Sequence, residues 1–203
     1  MSKAALFLGT SNMAKAAFFK SCMDELSVRT VSTADLGVNL TVDETGNSPE
    51  ANALIKAKAY YEVSRLPTLA EDSGLFFEAT PELHQPGILV KRSLPPESGA
   101  SDEILLDYYA KLLSRAASEV AAVWLIGLAI TLSPGRSKST SIRLRSKFVK
   151  TPSSIMVPGM PLLSLQVDEQ GNYLSETLTT SPIVHKLKAD VAHFVKQSLQ
   201  LQP

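Results

Sequence analysis

The chain alternates short apolar runs with longer mixed stretches, the pattern of strands set between helices. Residues 4–8, Ala-Ala-Leu-Phe-Leu, form a continuous apolar run of the buried-strand type. The polar turn Gly9-Thr10-Ser11-Asn12-Met13-Ala14-Lys15 follows. The spacing then predicts a helix through about 26, with Ala17, Phe18, Cys22 and Met23 as its apolar face. Residues 30–32 read as a second short strand, and 34–38 as a loop. Pro49 suits the first turn of a helix capped by Ser48 and predicted over about 50–64. Leu69-Ala70 and Leu75-Phe76-Phe77 read as strand ends, which puts Glu71-Asp72-Ser73-Gly74 at a sharp turn between them.

Farther along, the Pro-rich segment 79–96 reads as a loop, with His84 exposed on it. Ser101 caps a predicted helix over about 102–116, whose Ile104, Leu105, Tyr108, Leu112 and Leu113 form one face. Residues 119–132 are long and apolar and stop at Ser133-Pro134-Gly135. They predict a central strand that turns into a second one over 139–149. Gly171-Asn172 is a hairpin-turn candidate between 163–167 and 173–175. Ser181-Pro182 opens a last helix that carries His185 and, at the edge of the core, His193.

Composition narrows the class. The chain has 203 residues, 44% apolar and 20% charged, as an ordinary globular protein has. Basic and acidic residues number 20 each, so nothing asks for a nucleic-acid polymer or an anionic membrane as partner. A local basic pocket, enough for a small polyphosphate, is compatible with that balance. The single Cys22 has no partner for an internal disulfide and fits a reducing compartment. The apolar start at residues 4–8 is too short for a signal peptide or a membrane span, so a cytoplasmic protein is expected.

Two stretches carry candidate chemistry. A strand, a short polar turn and a helix start over residues 4–15 form an anion site, because free N–H groups and the helix dipole face the same way. Thr10, Ser11 and Asn12 are good cap residues, and Lys15 adds a mobile positive charge. The Walker pattern is absent, and a capped helix with a solvated lysine reads equally well from this stretch alone. Glu71 and Asp72 suit a metal or the deprotonation of a water, and equally a solvated turn and cap. Asp43-Glu44 forms a second acidic pair. Magnesium takes few carboxylates, several waters and substrate phosphate oxygens, so one acid from each pair would suffice.

The blocks Thr10-Ser11-Asn12-x-x-Lys15, Glu44-Thr45-Gly46, Asn52-Ala53-x-x-Lys56-Ala57, Leu66-Pro67, Ala70-Glu71-Asp72-Ser73-Gly74-Leu75 and Pro86-Gly87-Ile88-x-x-x-Arg92 stand in that order. As a set they resemble the inosine triphosphate pyrophosphatase family, the Ham1-like pyrophosphatases of non-standard purine nucleotides. The resemblance covers roughly the first half of the chain. It implies an α/β fold: an elongated central mixed sheet flanked by helices, one domain of two lobes with the site in the cleft between them. It also implies a homodimer, magnesium as cofactor, and hydrolysis of a nucleoside triphosphate to the monophosphate and pyrophosphate. Carried over by position, Thr10, Ser11, Asn12 and Lys15 would hold phosphates and Asp72 would be the general base. Ser73 would touch substrate, and Lys56 would partner the triphosphate charge. Asp43, Glu44, Glu71 and Asp72 are the candidate metal acids. Arg92, His185 and Lys186 complete the substrate set.

The departures are specific. The family often has Glu directly before the Asn of the Asn-Ala block; Ala51 stands there, and Glu50 lies one residue earlier. On a helix that is a rotation of about 100°. Where the family has Gly-Phe-Gly-Tyr-Asp-Pro, this chain has Val157-Pro158-Gly159-Met160-Pro161-Leu162-Leu163. Of the later Ser-His-Arg, only His185-Lys186 remains similar. The phosphate and metal half is therefore kept while the base-reading half is rebuilt. The expectation is pyrophosphohydrolase chemistry with altered or relaxed base preference. The rival is a nucleotide binder without catalysis, which senses or sequesters its ligand.

Overall fold

The computed structural model describes residues 4–78, 80, 83–90, 101–116 and 119–201. Its elements run β1 Ala4–Leu8, α1 Met13–Cys22, β2 Val28–Val31, α2 Thr33–Leu36, α3 Pro49–Ser64 and β3 Thr68–Phe77. There follow α4 Asp102–Leu113, β4 Val120–Ser133, β5 Arg136–Phe148, β6 Gln166–Val167 and α5 Pro182–Leu199, with a 3₁₀ turn at Pro161–Leu165 before β6. The six strands form one sheet in the order β2-β1-β3-β4-β5-β6. β1 pairs in parallel with both β2 and β3, while β5 and β6 are antiparallel. This is the mixed sheet with flanking helices, an α/β fold, that the sequence predicts. Among the described residues no helix is long and apolar enough to cross a membrane.

The chain divides into two compact units. The first holds residues 1–73, 126–142 and 186–203. In it β1 is central: the chain leaves to one side to lay down β2, then returns to the other side for β3. Phe7 N–H donates to Pro67 O at 2.7 Å and Gly9 N–H to Leu69 O at 2.8 Å, which fixes the register of β1 on β3. On α3, Ala53 and Ala57 pack against Ala70 of β3 and Ala129 of β4. Small side chains let the helix sit close to the sheet. Gly127 takes this to its limit, since a Cβ there would lie 2.3 Å from Glu50 N and from Pro49 C. The second unit holds residues 74–125 and 143–185. Its core joins Leu105, Tyr109, Leu112 and Leu113 of α4 to Leu75, Phe77, Val120 and Phe148 of the strands. Phe77 and Phe148 meet edge to face at 5.6 Å.

Local signals set the helix starts. Ser48 Oγ accepts from Ala51 N–H at α3, and Ser101 Oγ accepts from Ile104 N–H at α4. Five expectations need correction. On α4, Ile104 is exposed, and Tyr109 beside the expected Tyr108 is the fully buried ring. The segment Glu71–Gly74 is not a turn but the middle of a ten-residue strand. The loop expected at 34–38 contains a short helix, α2, opened by a capping box between Ser32 and Asp35. α1 ends at Cys22 rather than near 26; Cys22 and Met23 are buried as expected, but Ala16 and Phe19 are buried in place of the Ala17 and Phe18 expected. His193 on α5 is exposed rather than at the edge of the core.

Candidate functional site

The cradle begins where β1 ends. Gly9 is followed by a tight turn: Thr10 N–H donates to Leu8 O at 2.9 Å, and Asn12 N–H to Thr10 Oγ1 at 3.1 Å. Thr33 Oγ1 donates to Thr10 O, which anchors the turn to α2. Asn12 then caps α1, its Oδ1 accepting from Lys15 N–H at 3.1 Å. Lys15 thus stands in the first turn of α1, beside N–H groups that lack helical partners. This lies at the carboxyl end of β1, between β2 on one side and β3 on the other. In open α/β sheets, ligands bind at such a reversal of strand order.

β3 brings the acids to the same place. β1 pairs with β3 as far as Leu8 with Leu69, so Glu71, Asp72 and Ser73 continue past the end of β1. Successive strand residues face opposite sides of a sheet, and the contacts follow that rule. Glu71 Oε2 receives Lys15 Nζ of α1 at 2.6 Å. Asp72 Oδ1 lies 3.3 Å from Lys56 Nζ, and Asp72 Oδ2 accepts from Asn52 Nδ2 at 3.0 Å, both from α3. The two acids therefore divide one strand between two helices, each with its own lysine. Both are buried, at 8% and 9% exposure, so each needs its partner.

Lys56 also reaches Glu44 Oε1 at 2.8 Å. Burial by itself pushes the Lys56 ammonium down, but the charge of Asp72, with that of Glu44 and Glu71, outweighs it and raises the pKa above the ordinary lysine value. Tyr60, one turn farther along α3, ties this cluster to the cradle. Burial raises its phenol, against the lowering influence of nearby Lys56 and of a hydrogen bond from Ser11. Ser11, Lys15, Lys56, Glu44, Glu71 and Asp72 accordingly share one locality within the first unit.

The remaining expected site residues differ in setting. Asp43 is exposed on the loop before α3, one residue from half-buried Glu44. Ser73 is half-buried on β3. His185 is exposed and its Nε2 donates to Thr179 O at 2.8 Å; exposed Lys186 pairs with Asp190 at 2.6 Å, one turn along α5. Arg92 lies outside the described residues. Glu50 does not join the acids: Ser139 Oγ and Ser141 Oγ of β5 donate to its two oxygens at 2.6 and 2.9 Å. In the second unit, the segment in place of the family's base-reading block buries Leu162 in the core, and Gly159 N–H donates to Asp102 Oδ2.

Asn52 is the residue that the motif reading left without a role. It is fully buried, with one amide end on Asp72 and the other on the backbone of Gly46 at 2.8 Å. Its membership of the Asn-Ala block was the only sequence signal, since both partners are distant along the chain.

Comparison with known proteins gives a consistent picture. A family model described as the Ham1 family matches residues 6–150. The dITP/XTP pyrophosphatase of Leptospira interrogans serovar copenhageni is 35% identical over 104 residues, 51% of this chain and 52% of that protein. The dITP/XTP pyrophosphatase of Symbiobacterium thermophilum is 30% identical over 152 residues, 75% of this chain and 74% of that protein. The chain thus spans about half the length of the first of these curated relatives. Among solved structures, the Ham1 protein of Staphylococcus aureus superposes with a TM-score of 0.70 at 18% identity, covering 95% of this chain and 98% of that one. A HAM1 protein from Coxiella burnetii gives 0.68 at 17% identity, covering 96% and 99%. At these identities the structures speak to the fold.

Proposed function

The chain belongs to the Ham1 family, and on that premise we propose that it is a nucleoside triphosphate pyrophosphatase. It converts a non-standard purine triphosphate to the monophosphate and pyrophosphate by attack of water. One observation carries the reading: two lysines from two helices meet two consecutive buried acids of β3, beside the capped start of α1. Curated relatives that match the chain are named dITP/XTP pyrophosphatases.

The residues divide the work. The Thr10 and Ser11 hydroxyls and the Asn12 side-chain NH₂ are donors for phosphate oxygens, and Lys15 and Lys56 neutralise charge that builds on them. Asp72 orients the attacking water and takes its proton. Oδ1, the oxygen contacted by Lys56 at 3.3 Å, receives it once Lys56 turns to the phosphates. Ser73 touches the substrate beside Asp72. Among the described residues no three metal-binding side chains gather. Asp72 with Glu44 or Glu71 still fits magnesium, which accepts two hard carboxylates when substrate phosphates and water fill the rest. When bound, the ion screens phosphate charge and makes its water more acidic. A homodimer, a cytoplasmic setting and a substrate-binding part for His185 and Lys186 belong to the same proposal.

The base-reading half supports altered or relaxed base preference. Residues 157–163 offer no aromatic ring for stacking and no acid for a purine edge. The engagement of Glu50 with Ser139 and Ser141 favours a second reading, a nucleotide binder without turnover. Pyrophosphate release from ITP, XTP, dITP, ATP and GTP with magnesium tests both. Metal-dependent release, spread over several bases, supports the enzyme. Tight binding with no release from any of them supports the binder.

A further inference from the structure

Asn52 brings a fully buried amide to a stretch of α3 otherwise lined by alanines. Burying an amide is unfavourable unless both ends are bonded, and here both are. Gly46 N–H donates to Oδ1 at 2.8 Å. A backbone N–H only donates, so the oxygen end must face Gly46 and the NH₂ end must face Asp72. Nδ2 then donates to Asp72 Oδ2 at 3.0 Å. Asn52 and Lys56 stand one turn apart on α3, and each holds a different oxygen of Asp72. The loop that Asn52 ties down at Gly46 is also the loop that carries Glu44 to Lys56.

We propose that Asn52 is a positioning residue for Asp72, and that Gly46 sets Asn52 by the closeness of its backbone. The proposal rests on Asp72 being the acid that primes water. Lys56 has two tasks, to hold Asp72 and to meet the phosphates, and it leaves the first when substrate arrives. Asn52 has no such second task. It keeps the carboxylate plane fixed while Lys56 moves away. Gly46 is glycine for space and not for backbone freedom: its φ is ordinary, but a Cβ there would lie 2.7 Å from Asn52 Oδ1 and 2.8 Å from Ala51 Cβ. The Glu44-Thr45-Gly46 and Asn52-Ala53 blocks are thus two halves of one contact.

Steady-state kinetics on the full chain with ITP and magnesium test this. Asn52→Asp keeps an acceptor for Gly46 but replaces the neutral amide donor to Asp72 by a carboxyl that either repels the Asp72 carboxylate or shares a proton with it, so Asp72 no longer stands as a fixed free base. The expected result is a kcat lower by about 10²-fold, since small misplacements of a reacting group cost that much. KM and the stoichiometry of nucleotide binding stay within about threefold and unchanged respectively, because ground-state binding is intact. Gly46→Ala attacks the same contact from the loop side and lowers kcat in the same way. The double variant is no worse than the poorer single variant. Unchanged kcat in Asn52→Asp, a rise in KM alone, or losses that multiply in the double variant overturn the proposal. No turnover by the wild-type chain overturns the parent reading, and this one with it.

Discussion

Lys15 Nζ lies 2.6 Å from Glu71 Oε2, so the cation of the cradle and the first acid of the pair neutralise each other in the ligand-free chain. Lys15 is about a quarter exposed while Glu71 is buried. An incoming phosphate must therefore compete with a carboxylate for this ammonium. Glu71→Gln removes the competitor. Pyrophosphate should then bind about fivefold more tightly in the absence of metal, the worth of roughly one such ion pair. Titration calorimetry in EDTA reads this directly. Equal or weaker binding would show that Lys15 does not meet phosphate.

Glu50 bears on the metal. Its two oxygens are taken by Ser139 and Ser141 of β5, although it lies nearest to the acid that the family places before the Asn-Ala block. Glu50→Gln should leave the magnesium concentration for half-maximal turnover within about twofold of wild type, as a residue outside the metal shell does. A tenfold weakening would put Glu50 in the shell.

Gly127 seats α3 on the sheet. An added Cβ would meet backbone atoms of Pro49 and Glu50 at 2.3 Å, and backbone has no rotamer with which to yield. Gly127→Ala should cost about 3 kcal/mol, at the high end for overpacking. For a chain of this length that lowers Tm by roughly 6–12 °C. Gly135, in the turn between β4 and β5, is the control. It has open space but a φ of 73°, so Gly135→Ala should cost only about 1 kcal/mol. Equal losses in thermal melts would contradict the close seat of α3, on which Asn52 and Lys56 ride.

Cys22 closes the buried face of α1, and burial pushes its thiol from 9.0 up to about 12. Only the thiolate reacts with a maleimide, so native labelling at pH 8 should run at least about 10²-fold slower than labelling in denaturant. The same shift has a sign for stability. A folded pKa above the unfolded one gives stability that is complete below pH 9.0 and fades as pH rises from there through about 12. Labelling equally fast in both states would mean that Cys22 is not on the buried face of α1.

The motif blocks named residues that meet within one unit before any fold was known: Lys15 with Glu71, Lys56 with Glu44 and Asp72. Helix caps at Ser48 and Ser101 were readable for a local reason, a side chain bonding three residues away. The phase of α1 was not. Its sequence doubles its residues as Ala16-Ala17 and Phe18-Phe19, so either member of each pair suits an apolar face and the pattern does not choose between them. Tyr108-Tyr109 posed the same choice on α4, where Tyr108 packs half-buried against the core and Tyr109 is the fully buried ring. The Asp-Ser-Gly of β3 carried a turn signal that sheet pairing overrode. With the turn gone, Glu71 and Asp72 face two helices rather than one pocket edge. Asn52 remained silent because its partners lie 6 and 20 residues away.

The most direct test is Asp72→Asn beside wild type, measuring pyrophosphate release from ITP with magnesium together with metal-free nucleotide affinity by calorimetry in EDTA. Turnover lower by at least about 10³-fold, with affinity for the nucleotide within about threefold, is the predicted result for an acid that acts on the water and not on the binding of substrate. Turnover that persists near the wild-type rate would contradict it.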